Sequence, residues 1–444
     1  MYGSFKKGTC PGEFMKFTNL GGATGFLEHK GKRILFDPWL DEGIFHGAWH
    51  HYPPVNLPEG IEGLGRFDYV YISHIHEDHC SLKTLELINK DAEIIIMDRR
   101  PNFVLQFLEK NQLNFKGIHK VKPQTRYKLE DDLYVDMVTA DPAHELNYVI
   151  DSGLIIEWDG FKIYNANDCP PYKEGIEYIK SNYPKLDLAL IPYATGSSYP
   201  ACFTNLSHEK KLKEKERLFR MGVQIFNDAA VSLEAKYVMP FADQYIIVGN
   251  KYELNEYMPH PPSAGVIRDV YDSRITSKLL LLNSNQSFDL VEEVTSPPDS
   301  FYQHTDKDRE EYALEHRDSL YDFERFTLSR SVNLSSLVNI AVSRLFEILK
   351  KQNYTSDTKL IIEVLDWKQK YVIDLKNYTL KESAFNEVDE QPFLKAAVGA
   401  NLLTMLITGH ISWNIADAAL FIDYTRLPNT YDPKVHSLWN YIKI

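Results

Sequence analysis

Cysteine is scarce in this chain and scattered. Its 444 residues contain four, Cys10, Cys80, Cys169 and Cys202. No two form a C-x-x-C pair, which excludes a zinc knuckle and a thioredoxin-type motif. Four isolated thiols do not make a disulfide scaffold, and they suit a reducing, cytoplasmic setting. Long apolar runs are also missing. The longest, Ala396 to Thr408, falls short of the roughly 18 residues a membrane helix needs, and it holds Gly399 and Asn401. Met1 to Lys7 lacks the apolar core of a signal peptide. Basic residues are outnumbered: 49 Lys and Arg against 62 Asp and Glu give a net charge of −13. That balance argues against nucleic acid or an anionic membrane as principal partner and points to a small-molecule substrate.

Hydrophobic residues make up 44% and charged residues 25%, a globular composition spread over too long a chain for one ordinary core. Strand and helix patterns alternate through the first part. Phe26 to Phe36 reads as two strands around Lys30-Gly31, and Asp159-Gly160 joins strands Leu154 to Trp158 and Phe161 to Tyr164 in a hairpin. Glu209 to Leu233 has a helical pattern, and Tyr237 to Phe241 follows it as a strand. This rhythm predicts a layered α/β domain over residues 1–290. Residues 291–310, with Ser296-Pro297-Pro298-Asp299, read as a linker. Residues 311–444 read as a small α+β domain: a helix around Leu334 to Leu349, a hairpin from Leu360 to Leu375, and a second helix from Phe393 to Ile407 closed by Gly409.

The chemistry concentrates in Ser73-His74-Ile75-His76-Glu77-Asp78-His79, an H-x-H-x-D-H pattern just after the β-rich run Tyr69 to Ser73 and before a short helical stretch. His74 and His76 can point the same way while the strand still runs, and Asp78 and His79 turn back from the loop. Three imidazoles and a carboxylate suit Zn, Fe or Mn. Two metals in such a site would polarise an oxygen and lower the pKa of a bridging water.

This segment resembles the metallo-β-lactamase fold, which implies an αββα sandwich for the first domain. The resemblance implies further ligands at His144, in Asp141-Pro142-Ala143-His144, and at Asp168, which follows the hairpin. The family's last histidine would fall in Met239-Pro240-Phe241-Ala242-Asp243, where there is none. Asp243 could supply an oxygen ligand there or simply cap its loop.

Ile34-Leu35-Phe36-Asp37-Pro38-Trp39-Leu40, the histidine motif, Asn167-Asp168-Cys169 and Pro240-Phe241-Ala242 are similar to one branch of the fold, the cytidine-monophosphate N-acetylneuraminic acid hydroxylases. So are His51 ahead of Pro53-Pro54, and His260-Pro261. Those enzymes carry a Rieske cluster, but no cysteine here has a histidine two or three positions on. The resemblance therefore implies a dinuclear non-haem iron oxygenase of a polar or nucleotide-linked metabolite, supplied with electrons by a separate ferredoxin or Rieske protein. The other reading is a zinc or manganese hydrolase of a phosphoester, phospholipid or lactone, with Asp78 orienting the attacking hydroxide and taking its proton. His51 and His260 are expected either as proton donors or extra ligands at the pocket mouth or as packing residues. The run Leu402 to Gly409 faintly resembles sterol-carrier domains, which hold apolar ligands; a packed core with dimerisation or lid duty is the other reading.

Overall fold

The strands that the sequence marks as apolar on both faces lie in the middle of two facing sheets. The structure, a computed structural model, describes residues 14–143, 150–194, 196–325, 328 and 332–444. The first sheet has eight strands in the order Val294–Ser296, Gln286–Asp289, Met15–Gly21, Thr24–His29, Lys32–Phe36, Tyr69–Tyr71, Glu93–Met97 and Gly117–Val121. The second has seven: Lys278–Leu279, Tyr237–Phe241, Leu188–Pro192, Phe161–Asn165, Ser152–Trp158, Leu133–Thr139 and Tyr127–Glu130. Phe17, Leu27, Phe36, Tyr71 and Ile95 of the first sheet meet Val135, Leu154, Ile156, Ile163 and Leu190 of the second in one buried layer.

Alternation puts the intervening residues on the outer faces, where helices cover them. Ile94 and Ile96 pack with Leu85 of helix Leu82–Leu87 and with Val104 and Leu108 of helix Phe103–Lys110. Ile155, Ala189 and Val238 pack with Ile179 of helix Lys173–Asn182 and Phe226 and Ala230 of helix His208–Leu233. The expected αββα sandwich is thus present. The hairpin turn is as read: Asp159 and Gly160 both have positive φ, 51° and 87°. Gly222 lets the long helix approach its sheet closely, since a methyl there would sit 2.5 Å from the carbonyl oxygen of Tyr193.

Two sequence expectations differ from the structure. Residues 291–310 include strand Val294–Ser296, which pairs with Gln286–Asp289 at the edge of the first sheet, and the start of helix Asp306–Glu315, whose N-terminus is closed by a Thr305–Asp308 capping box. The Pro-Pro pair sits just after the short edge strand, where proline costs no ladder hydrogen bond. The apolar run from Phe393 divides into strand Phe393–Val398, Gly399 and helix Ala400–Ile407. That strand lies inside a sheet, parallel to Lys359–Val364 and antiparallel to Asp423–Leu427. An inner strand flanked on both sides reads as a continuous apolar run, which periodicity alone cannot separate from helix.

The C-terminal sheet has the order Thr379–Ser383, Gln369–Asp374, Lys359–Val364, Phe393–Val398 and Asp423–Leu427. Its core continues into the sandwich. Val338, Ala341, Leu345 and Leu349 of helix Leu334–Lys351 share one cluster with Trp39, Phe45, Ala48, Trp49 and Phe203. The backbone crosses too: Thr204 N–H donates to the Tyr424 carbonyl and Tyr424 N–H to that of Cys202, both at 2.8 Å. Core continuity of this kind couples the two units on unfolding. Leu345→Ala, at a fully buried position, should cost about 2–5 kcal/mol and shift a single melting transition seen by both far-ultraviolet circular dichroism and tryptophan fluorescence. Two separate transitions would show that the shared core does not couple the units.

Candidate metal centre

Strand Tyr69–Tyr71 runs parallel between Lys32–Phe36 and Glu93–Met97. The motif leaves its C-terminal end, where open α/β sheets form their sites. The loop closes on itself, because the N–H groups of His79 and Cys80 both donate to the His76 carbonyl, at 3.0 and 2.8 Å. Ser81 then caps the next helix, accepting from Thr84 N–H. Cys80 and Cys169 are buried packing thiols.

The ring orientations follow from one buried cluster. Asp37, fully buried at the end of strand Lys32–Phe36, accepts from Ser73 N–H at 2.7 Å. Its other oxygen lies 3.2 Å from His79 Nδ1. Ser73 Oγ stands 2.9 Å from His74 Nδ1 and 3.3 Å from His79 Nδ1. With these Nδ1 atoms protonated and engaged, each Nε2 keeps a free lone pair. His74 Nε2 faces His76 Nδ1 at 2.9 Å, and His79 Nε2 stands 3.4 Å from Asp78 Oδ2 and 3.2 Å from Asp168 Oδ2. Asp168 is placed by Asn167, which has φ 42° and donates to the Ser152 carbonyl.

His74, His79 and Asp168 bring one ligand atom each within 4.8 Å of one another, a group that could hold a metal ion. Nitrogen ligands about 2.0–2.1 Å from a tetrahedral ion lie roughly 3.3 Å apart, close to the His74–His76 spacing. Buried acceptors without hydrogen-bond partners gather at the same place: Asp78 Oδ1, Asp151 Oδ1 and Asp243 Oδ2. Such groups are costly when left unpaired. None of the described residues lining the surrounding cavity of about 380 Å³ is Lys or Arg, whereas five are Asp. A site rich in lone pairs and negative charge, whose described lining has no Lys or Arg, fits metal ions.

The titration pattern agrees. Burial pulls His74 well below the ordinary imidazole value and lowers His76, so both rings are neutral at pH 7, the state in which an imidazole can bind a metal. Burial also acts against charge on His79, but Asp168, Asp78 and Asp37 outweigh it and hold the ring well above that value in the metal-free chain. Asp151 is pushed up to about 8, by burial first and by the nearby Asp168 carboxylate second.

The other expected residues fall in three places. His144 lies outside the described residues. His51 is fully buried behind Trp39, with ring centroids 3.6 Å apart, and its Nε2–H donates to the Trp39 carbonyl. It does not line the cavity, and burial lowers its pKa to about 3. Asp243 and His260 both line the cavity and face each other: His260 Nδ1–H donates to Asp243 Oδ1. Tyr245 O–H donates to His260 Nε2 at 2.7 Å while its ring stacks on Trp49 at 3.4 Å. Asp243 is thus the orienting carboxylate of His260. Ala242, with φ 57°, follows strand Tyr237–Phe241 and lines the cavity beside Asp243.

Sequence reasoning gave no role to Asp37, Ser73, Asp151, Tyr245 or Asn414. Asp37 and Ser73 lie within recognised segments and could have been found as partners for ring N–H groups. Asp151, Tyr245 and Asn414 carry no local signal.

Fold and donor set together define an α/β sandwich of the metallo-β-lactamase type with a metal-binding site at its sheet ends. Residues 32–223 match the model of the beta-lactamase superfamily domain. Similar proteins include the cytidine monophosphate-N-acetylneuraminic acid hydroxylase of Danio rerio, 30% identical over 228 residues, covering 48% of this chain and 35% of the relative. A protein of Mycolicibacterium smegmatis described as a Rieske 2Fe-2S iron-sulfur protein is 28% identical over 193 residues, 43% of this chain and 36% of the relative. The chain thus spans about a third of the length of these relatives. Among solved structures, CmlA, a diiron β-hydroxylase from Streptomyces venezuelae, is 16% identical with a TM-score of 0.40, covering 63% of this chain and 54% of its own. Igni18, a metallo hydrolase from Ignicoccus hospitalis, is 17% identical with a TM-score of 0.41, covering 62% of this chain and 98% of its own.

The Asp37 contacts lead to a test. Asp37→Asn keeps an acceptor for Ser73 N–H but turns an NH₂ group toward His79 Nδ1–H. Metal affinity, measured by chelator competition, should fall about 10–100-fold; an unchanged affinity would show that Asp37 does not orient His79.

Proposed function

We propose that this chain is a dinuclear metal-dependent oxygenase, a non-haem iron hydroxylase of a polar metabolite that takes electrons from a separate ferredoxin or Rieske protein. Its catalytic unit would be residues 1–290, with 311–444 as an accessory unit. The observation that carries the reading is Ala242, which follows strand Tyr237–Phe241 where the resemblance to the metallo-β-lactamase fold implies a last histidine, one that the resemblance to the hydroxylase branch does not call for. The identity with a hydroxylase over about half the chain supports the same choice. A nucleotide-linked substrate ranks below a simple polar one, because the described cavity lining has no Lys or Arg to meet a phosphate.

His74, His76, Asp78, His79 and Asp168 would hold the ions, with His144 as a further ligand. Two iron ions bound there would supply the redox chemistry that uses dioxygen. The protein's own groups do the rest. Trp39, Phe45 and Trp49 line the cavity as an apolar wall and limit water. Tyr245 and His260 form a relay that can hold or pass a proton at His260 Nε2, and Asp243 fixes that ring through Nδ1–H. The second reading, a zinc or manganese hydrolase of a phosphoester, phospholipid or lactone, is favoured by the unpartnered Asp78 Oδ1, which could orient a water and accept its proton.

The test is metal analysis of protein purified anaerobically without added metal, with His74→Ala as control. The expected result is about two iron per chain, lost in the variant, with turnover that requires both dioxygen and a reductant. Zinc or manganese with turnover in the absence of dioxygen would overturn the oxygenase in favour of the hydrolase. Absence of metal from both proteins would overturn the metal centre itself.

A further inference from the structure

The cavity is not built by the sandwich alone. Helix Trp413–Ala418 of the C-terminal unit contributes Asn414, Asp417 and Ala418 to its wall. This helix lies outside residues 32–223, the segment that matches the superfamily model. It is fixed from both sides. On the sandwich side, Trp49 Nε1–H donates to the Ala418 carbonyl at 3.1 Å and Ser198 O–H to Asp417 Oδ1 at 2.7 Å. On its own side, Trp413 stacks on Trp439 at 4.9 Å and donates to the Ile442 carbonyl.

This fixed helix brings the Asn414 amide to His76, 338 residues away in sequence, with Nδ2 standing 3.1 Å from His76 Nε2. The position on the ring matters. His76 Nδ1 faces His74 Nε2 at 2.9 Å and is the nitrogen on the metal side. Nε2 is therefore the outer nitrogen, which a ligating histidine uses to fix its tautomer and plane against a partner. His74 and His79 have Ser73 and Asp37 for this purpose. The one side-chain partner found at the outer nitrogen of His76 among the described residues is Asn414. An amide suits both states of the ring. Its NH₂ meets the bare Nε2 lone pair, and its oxygen, after a half-turn of the amide, accepts the Nε2–H that remains when Nδ1 binds a metal.

We propose that Asn414 is a positioning residue for the metal ligand His76, so that the C-terminal unit completes the metal centre as well as covering it. This rests on the metal-centre reading and is independent of whether the reaction is oxygenation or hydrolysis. Asn414 is exposed at the cavity rim, so changing it removes no core packing.

The experiment uses the full-length chain with Co(II) as the probe, comparing wild type, Asn414→Leu and Asn414→Asp. Readouts are affinity by chelator competition, the Co(II) visible spectrum and the melting temperature of the metal-free protein. Leucine, with no acceptor, should weaken one Co(II) site about 10–100-fold and alter its spectrum without moving the metal-free melting temperature. Aspartate, which keeps an acceptor, should retain wild-type affinity. Equal affinities in wild type and Asn414→Leu would overturn the inference while leaving the metal centre intact. Equal losses in the leucine and aspartate variants would also overturn it, since a role of shape alone would then suffice. Failure of the wild type to bind Co(II) would overturn the metal-centre reading and this inference with it.

Discussion

The buried carboxylate of Asp37 is the constraint on which the site depends. It sits at the end of one inner strand, accepts the N–H of Ser73 just past the end of the next, and reaches His79 at the far end of the motif. A charge with no exposed surface is tolerated only when it is paired and hydrogen-bonded. The loop must therefore keep the path that supplies those partners. Ser73, held in place by this contact, then engages the Nδ1 atoms of both His74 and His79. Ring tautomer, ring direction and loop path are thus fixed together before any ion arrives.

Charge crowding is the second feature. Asp78, Asp151 and Asp168 gather around three imidazoles in a cavity whose described lining has no Lys or Arg. Without a metal ion the buried carboxylates repel one another, as the upward push on Asp151 shows, and they hold a proton on the buried His79. A bound metal ion reverses both effects. It favours ionised carboxylates and competes with the proton on histidine.

The C-terminal unit changes how that centre is enclosed. Its hydrophobic core is continuous with Trp39, Phe45 and Trp49, residues that also face the cavity. One layer of aromatic side chains thus serves packing on one side and the pocket on the other. The sequence offered a carrier for apolar ligands or a packed domain with dimerisation or lid duty. The contacts of helix Trp413–Ala418 with the cavity wall fit covering the site.

What the sequence determined by itself was local. Binary patterning was enough for the alternation of strands and helices, the Asp159-Gly160 turn and the long helix ending at Leu233, because each depends on residues within a few positions of one another; the facing sheets were expected through the family resemblance. Asp78 and His79 could be singled out by their spacing after a strand, whereas Asp168 was expected only through the resemblance to the metallo-β-lactamase fold. Patterning failed where two elements share an apolar run, as at Phe393–Ile407, and where composition looked loose, as at the edge strand Val294–Ser296. Only the tertiary structure decided that Asp243 orients His260, that His51 packs behind Trp39, and that Asp151, Tyr245 and Asn414 belong to the cavity. The reason is physical. A pairing such as Asn414 with His76 spans 338 residues and is set by how two hydrophobic cores merge, which no local periodicity records.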